Sequence, residues 1–291
     1  MTEPAPAPAE RPFRSGFVTL VGRPNVGKST LLNAILGYKV SIVSDKPQTT
    51  RFQVRGILDR DDAQVVFVDT PGIHKPRTVA GERFNAAAVE ALDGVDVACF
   101  VLDATKPLGT GDRFVAPRLP RDSTLCVVNK IDVARPEQVL EQLKAAGELG
   151  LADYFPVSAV TRKGLDELVE AIVRRLPEGP RYYPEGTVTD VPDALWVAEL
   201  VREQLLAVTR EELPHSIACR VTEWEWPRIR VEILVERDSQ KGIVIGKGGE
   251  VLKKVGTAVR QELEAGAYLD LAVKVEPDWQ RSPRSLDRLG L

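Results

Sequence analysis

Eight consecutive residues carry the clearest chemistry in this chain. Gly22, Arg23, Pro24, Asn25, Val26, Gly27, Lys28 and Ser29 spell G-x-x-x-x-G-K-S, a phosphate-binding loop. Its glycines let the backbone curl until successive N–H groups point at phosphate oxygens. A helix starting at the end of the loop adds unpaired N–H groups and partial positive charge. Lys28 has the reach for β- and γ-phosphates, and the Ser29 hydroxyl, with Thr30 beside it, suits Mg²⁺. The loop implies a nucleoside triphosphate but not which one.

Three more stretches narrow the choice. Asn129, Lys130 and Asp132 form N-K-x-D after an apolar run. A fixed, buried carboxylate at Asp132 accepts two hydrogen bonds from the guanine N1–H and amine, and adenine would leave it unpaired. The Lys130 stem covers the base face, Asn129 ties this loop to the phosphate loop, and Ser158–Ala159 offers the Ala159 N–H to the guanine O6. In Asp69, Thr70, Pro71 and Gly72, Asp69 holds Mg²⁺ through water and the Gly72 N–H senses the γ-phosphate. Between these motifs, residues 46–51 supply a threonine to close over the metal: Thr50, with Thr49 as the alternative. Lys28, Thr50 and Gly72 are thus the candidate catalytic groups, and Ser29, Thr50 and Asp69 the candidate metal ligands.

Positioning these residues requires a sheet. Apolar runs at 17–21, 65–68, 95–102, 124–128 and 154–157 alternate with helical patterns at 29–36, 82–92, 112–118, 136–148 and 165–175. Such alternation predicts an α/β domain whose mostly parallel, doubly wound sheet is covered on both faces. Residues 51–58 add an antiparallel edge strand. A Pro/Gly-rich stretch then reads as a linker, and the pattern changes to a helix over 192–212, a hairpin over 217–225 and 228–236, a helix over 250–263 and a strand over 269–275. The division is a disordered tail over 1–13, the first domain over 14–177, a linker over 178–190 and a smaller α+β domain, α-β-β-α-α-β, over 191–291.

The second domain has its own candidate site. Gly246, Lys247, Gly248 and Gly249 form G-x-x-G between two helices, where a nucleic-acid backbone can approach the protein backbone closely. Lys241, Lys253 and Lys254 make the surroundings basic, and Ile243, Val244 and Ile245 are expected to floor a groove for splayed bases. Trp224 and Trp226 read as hairpin packing residues, with base stacking as the alternative, and Trp279 reads as a packing anchor.

Composition sets outer limits. With 291 residues, 43% hydrophobic, 28% charged and a net charge of −3, the chain is a soluble globular protein, and any nucleic-acid binding must come from a local patch. Cys99, Cys126 and Cys219 lack metal-type spacing, and the only histidines are His74 and His215, so zinc is not expected. No stretch approaches the roughly 18 apolar residues of a membrane span.

Together the nucleotide motifs resemble the translation-factor-type GTPases, which implies a Ras-like P-loop GTPase domain. The G-x-x-G loop in its order of elements resembles a type II K-homology (KH) RNA-binding domain. One such GTPase domain followed by one KH domain is similar to the Era-type bacterial ribosome-assembly GTPases over residues 14–291, most characteristically at 69–76. The resemblance implies GTP/GDP and Mg²⁺ as ligands, slow GTP hydrolysis, and binding near the 3′ end of small-subunit rRNA during maturation of the small ribosomal subunit. It also implies a cytoplasmic monomer with weak peripheral association at the inner membrane. Ile73 stands where many Ras-like members have a water-orienting glutamine, and Asn25 stands where similar GTPases help hold K⁺. The alternative is a GTPase of tRNA modification or metabolic regulation whose second domain does not bind RNA. That reading calls for a catalytic cysteine or cofactor cluster, and the sequence has none.

Overall fold

The computed structural model describes residues 12–46, 48–73, 78–209 and 213–291. Most of the expected tail, part of the 69–76 motif and the end of the 192–212 helix lie outside them. The first half is a six-stranded sheet ordered β2-β3-β1-β4-β5-β6: β1 Arg14–Val21, β2 Val54–Asp59, β3 Ala63–Asp69, β4 Val97–Asp103, β5 Thr124–Asn129 and β6 Asp153–Pro156. All neighbours are parallel except β2, the expected antiparallel edge strand, which pairs with β3. Helices α1 Lys28–Leu36 and α5 Leu165–Val173 cover one face over Leu20, Val65, Phe67 and Val101. On the other face, α2 Val79–Glu90, α3 Thr110–Val115 and α4 Pro136–Gly147 bury Val21, Phe100, Leu102 and Val128. Strands buried on both faces explain the near-continuous apolar runs. The crevice between β1 and β4, where the strand order reverses, lies at the carboxyl ends of the strands, and the phosphate loop follows β1 there.

The second half orders α6 Asp193–Val208, α7 Leu213–Ser216, β7 Ala218–Glu225, β8 Arg228–Val235, α8 Asp238–Ile245, α9 Glu250–Arg260, β9 Tyr268–Val275 and α10 Pro283–Leu289. Its sheet runs β7-β8-β9, antiparallel then parallel, as in a type II KH domain. Ile229, Val231, Ile233 and Val235 alternate toward α6 and α9 and form this domain's core.

Two expectations change, and one feature is new. The stretch 178–190 is no free tether. Ile57 N–H donates to Val188 O (2.9 Å), and Thr189 Oγ1 donates to Arg55 O (2.7 Å). The Tyr182 and Tyr183 N–H groups donate to the buried Gln64 Oε1 at 2.8 and 2.9 Å. The stretch is a strap that satisfies the open edge of β2. Trp224 and Trp226, expected to pack, are 41% and 49% exposed at the hairpin tip, whereas Trp279 is buried and donates to Ser216 O (2.9 Å). The halves also share a small core: Ala80 and Phe84 of α2 pack with Leu234, Trp279, Leu286 and Leu289.

Candidate functional site

Gly22 and Gly27 bend the phosphate loop with φ of 154° and 97°. A Cβ on Gly22 would lie 2.5 Å from Val101 O, so only glycine lets the loop lie against β4. The Lys28 ammonium is held under the loop by Gly22 O (3.3 Å) and Arg23 O (3.4 Å). Burial pushes its pKa down, and nearby Asp69 opposes the shift. Asp69, at the end of β3, is fully buried, and burial raises its pKa against Lys28 and the hydroxyl donors. Its Oδ2 accepts from Ser29 Oγ (2.7 Å), Ser41 Oγ (2.9 Å) and Thr50 Oγ1 (3.4 Å). Its Oδ1 is buried without a partner among the described residues. Hard oxygen donors converging on a buried carboxylate with an unsatisfied oxygen fit Mg²⁺. Thr50 Oγ1 lies 2.9 Å from Ser29 Oγ, whereas Thr49 Oγ1 turns back to Lys46 O (2.7 Å), so the geometry favours Thr50. Residues 42–44 and 48–50 face Pro24, Asn25, Lys28, Ser29 and Thr30 across a cleft.

At the base end, Asn129 is buried and joins two loops: Nδ2 donates to Val26 O (3.0 Å), and Oδ1 accepts from the Ala159 N–H (3.1 Å). The Ala159 N–H is engaged inside the protein, so a base oxygen must share that proton. Ser158 is buried, and its Oγ accepts from the Thr161 N–H (3.0 Å), fixing the same loop. Lys130, with φ of 70°, stretches back over Gly27 and donates to Asn25 O (2.6 Å) and Asp103 Oδ2 (2.8 Å). The Asp132 carboxylate is exposed rather than buried, because it follows the turn at Lys130 instead of lying on β5. A bound base, not the fold, would have to cover it.

Around the expected γ-phosphate position, Gly72 lies flat on the phosphate loop: a Cβ there would come within 2.8 Å of Pro24 Cα. Thr70 Oγ1 donates to Leu20 O (2.9 Å), fixing the turn in which Pro71 follows. Ile73 is buried in the sheet core beside Val21 and Phe100, so its side chain points away from the phosphate loop. Asn25, with φ of 63°, is exposed, and its Nδ2 donates to Asp45 O (2.7 Å).

The second candidate site is the turn from α8 into α9. Gly246, Gly248 and Gly249 have φ of 74°, 61° and 82°. A Cβ on Gly246 would meet Val251 Cγ2 at 2.5 Å, whereas Gly248 and Gly249 face open space. Lys247, Lys253 and Lys254 are exposed and Lys241 is half-buried. Ile243 is 58% exposed and Ile245 partly so, but Val244 points into the core and cannot floor a groove. Helical periodicity turns one of three consecutive residues inward.

Two residues escaped the motif reading. Ser41 supplies the third hydroxyl on Asp69, and Asp103, at the end of β4, orients Lys130 while accepting from Thr105 N (2.9 Å) and Thr105 Oγ1 (2.6 Å). Burial pushes the Asp103 carboxyl up, but the Lys130 ammonium and the Thr105 donors together hold it below its ordinary value. Its place at a strand end beside the phosphate loop was the available signal.

Residues 17–130 match the family model for a 50S ribosome-binding GTPase, and residues 212–280 match the KH domain. The chain is 48% identical to the GTPase Era of Mycobacterium tuberculosis and 46% identical to that of Mycolicibacterium smegmatis. Both alignments cover 96% of this chain and 99% of the relative. Two solved structures superpose with a TM-score of 0.91 at 40% identity, covering 96% of this chain and 99% of theirs. One is an Aquifex aeolicus Era variant bound to GDP·AlF4⁻, and the other is Era in complex with MgGDPNP and nucleotides 1506–1542 of 16S ribosomal RNA.

Proposed function

The chain belongs to the Era family of GTPases, and on that premise we propose that it is a switch coupling GTP binding to recognition of small-subunit rRNA during small-subunit maturation. It is a GTPase, converting GTP and water to GDP and phosphate, and it uses GTP, GDP and Mg²⁺. In this reading the phosphate-loop N–H groups and Lys28 hold the phosphates, and Gly72 presents its N–H to the γ-phosphate. Asn129, Lys130 and Asp132 select guanine. Ser29, Asp69 and Thr50 would hold Mg²⁺, which would supply positive charge against the phosphates. The buried Ile73 leaves the attacking water to backbone groups, and Asn25 would help hold a K⁺ ion that would supply positive charge at the phosphates.

The RNA half of the reading rests on one observation: an open glycine loop at the N-terminus of α9, ringed by exposed lysines. Its partner is the 3′ region of 16S rRNA, and Lys241, Ile243, Ile245, Gly246, Lys247, Gly248, Gly249 and Lys253 are the contact residues. The same reading places a monomer in the cytoplasm, with only peripheral contact at the inner membrane; no described helix is long and apolar enough to cross one. The test is titration with a short single-stranded RNA copying the 16S 3′ end, comparing wild type with Gly248→Asp. Because Gly248 faces open space and aspartate tolerates positive φ, the variant should fold and lose about tenfold or more in affinity. Equal binding by both proteins would remove the loop from RNA recognition, and a wild type without RNA affinity would turn the reading toward a regulatory GTPase.

A further inference from the structure

The segment that carries Thr50 is gripped from the other domain. Residues 39–46 and 48–51 lie between α1 and β2, and α6 of the second domain holds them at both ends. At the near end, Glu203 Oε1 accepts from the Val43 N–H (2.8 Å), and Glu203 Oε2 pairs with Lys39 (2.5 Å). At the far end, Arg202 Nη2 donates to the Thr49 carbonyl, and Arg51 donates to Ile217 O (2.6 Å) with its guanidinium 5.6 Å over the Trp279 ring. Both hydroxyls that this segment gives to Asp69 are bracketed by these contacts. Ser41 lies between Lys39 and Val43, and Thr50 lies between Thr49 and Arg51.

Stability alone is a poor reason for this arrangement. Arg202 is 1% exposed and aimed by a two-pronged pair with Glu199, at 2.7 Å from Nε and 2.6 Å from Nη2. Its Nη1 has no partner among the described residues. Burial and the neighbouring Arg202 pull the Arg51 pKa down to about 9, so two buried cations share Glu199. Apolar replacements of such clusters are often neutral or stabilising. What an apolar residue could not supply is a donor fixed on the Thr49 carbonyl.

We propose that Arg202 and Glu203 are positioning residues for GTP, holding Thr50 and Ser41 against Asp69 from within the RNA-binding domain. This rests on the assignment of Thr50 and Asp69 to the Mg²⁺ and γ-phosphate end of the site. Helix α6 packs on α9 through Val197, Val201, Val255 and Val259, and α9 begins at the glycine loop, so the grip sits on the element beside the RNA loop.

The test uses the full chain and measures affinity for a non-hydrolysable GTP analogue and for GDP over a Mg²⁺ series. Amide hydrogen exchange of residues 43–51 is followed alongside. Arg202→Met should weaken the analogue about tenfold, the scale of one lost charge-assisted bond, and leave GDP within about twofold. Exchange at 43–51 should quicken, and Arg202→Lys should recover part of the loss because an ammonium still offers a donor. In a Thr50→Ala background, Arg202→Met should add no further loss. Equal losses for analogue and GDP, or losses that multiply with Thr50→Ala, would overturn the proposal. If Thr50→Ala binds the analogue as wild type does, the Thr50 assignment itself falls and takes the proposal with it. Should Arg202→Met fail to fold, Glu203→Ala at the rim of the same grip must show the same selective loss, and its absence counts against the idea.

Discussion

Asn129→Ala isolates the tie that makes one pocket from two loops. The amide lies at the end of β5, 1% exposed, bonded to Val26 O at 3.0 Å and to the Ala159 N–H at 3.1 Å. It is packed flat against the loop: a Cβ on Gly27 would fall 2.4 Å from Asn129 Nδ2. Alanine removes both bonds and leaves a buried carbonyl and a buried N–H to find other partners. Two net hydrogen bonds are worth about 2 kcal/mol, and desolvated leftovers would add to that. If that amount falls on the nucleotide, affinity drops about thirtyfold. The tie sits between the phosphate loop and the base loop, away from Thr50 and Gly72, so GTP and GDP should lose equally. Titration with fluorescent GDP and a fluorescent GTP analogue, with a thermal melt to follow the fold, reads this directly. GDP affinity within twofold of wild type would refute the tie, and a loss confined to GTP would show that Asn129 acts at the γ-phosphate end instead.

Asp132→Asn should lower guanine-nucleotide affinity and raise that for xanthosine nucleotides, because the amide offers a donor as well as an acceptor; unchanged GDP binding in competition titrations would remove Asp132 from base selection. GTP turnover should be faster in potassium than in sodium buffer, and Asn25→Ala should erase the difference; equal rates for wild type in the two salts would dismiss the cation. The Asp103 carboxyl is held below its ordinary value, so its contribution to stability is present above that value, about pH 4, and is lost as pH falls through the lower folded value. Urea unfolding of wild type and Asp103→Asn should therefore differ by a constant amount above about pH 5 and converge in stronger acid. A gap that widens on acidification would mean that the Lys130 pair does not stabilise the fold.

What was legible in the sequence was what short-range geometry dictates. The phosphate loop must be glycine-rich at Gly22 and Gly27 because backbone and side chains pack where a Cβ would stand. The buried strands must be apolar throughout, and Ile229 to Val235 must alternate because one face of that sheet is covered. What was not legible depends on partners distant in the chain. Asp103 and Ser41 belong to no motif, and only the fold brings them to Lys130 and Asp69. The strap over 178–190 has the composition of a tether, and its order comes from the unpaired edge of β2, which composition does not encode. Val244 was misplaced because a three-residue apolar run does not reveal which residue a helix turns inward.

Ile73 ties these threads to hydrolysis. Its side chain belongs to the sheet core, so mutating it toward glutamine would bury an amide beside Val21 and Phe100 rather than install a water-orienting group. In the proposed reading a cation would sit where Asn25 and the segment carrying Thr50 line the same cleft, beside the backbone groups of Gly72. The Asn25 amide nitrogen is engaged by Asp45 O (2.7 Å), which leaves the carbonyl end of that side chain to meet a cation. Asp45 lies between Val43 and Thr49, the two points that Glu203 and Arg202 hold. A cation held by Asn25 and the proposed interdomain grip would therefore act on one short segment. Loosening α6 should reduce the potassium stimulation of turnover as well as GTP affinity, and a variant at Arg202 that loses affinity while keeping full stimulation would separate the two.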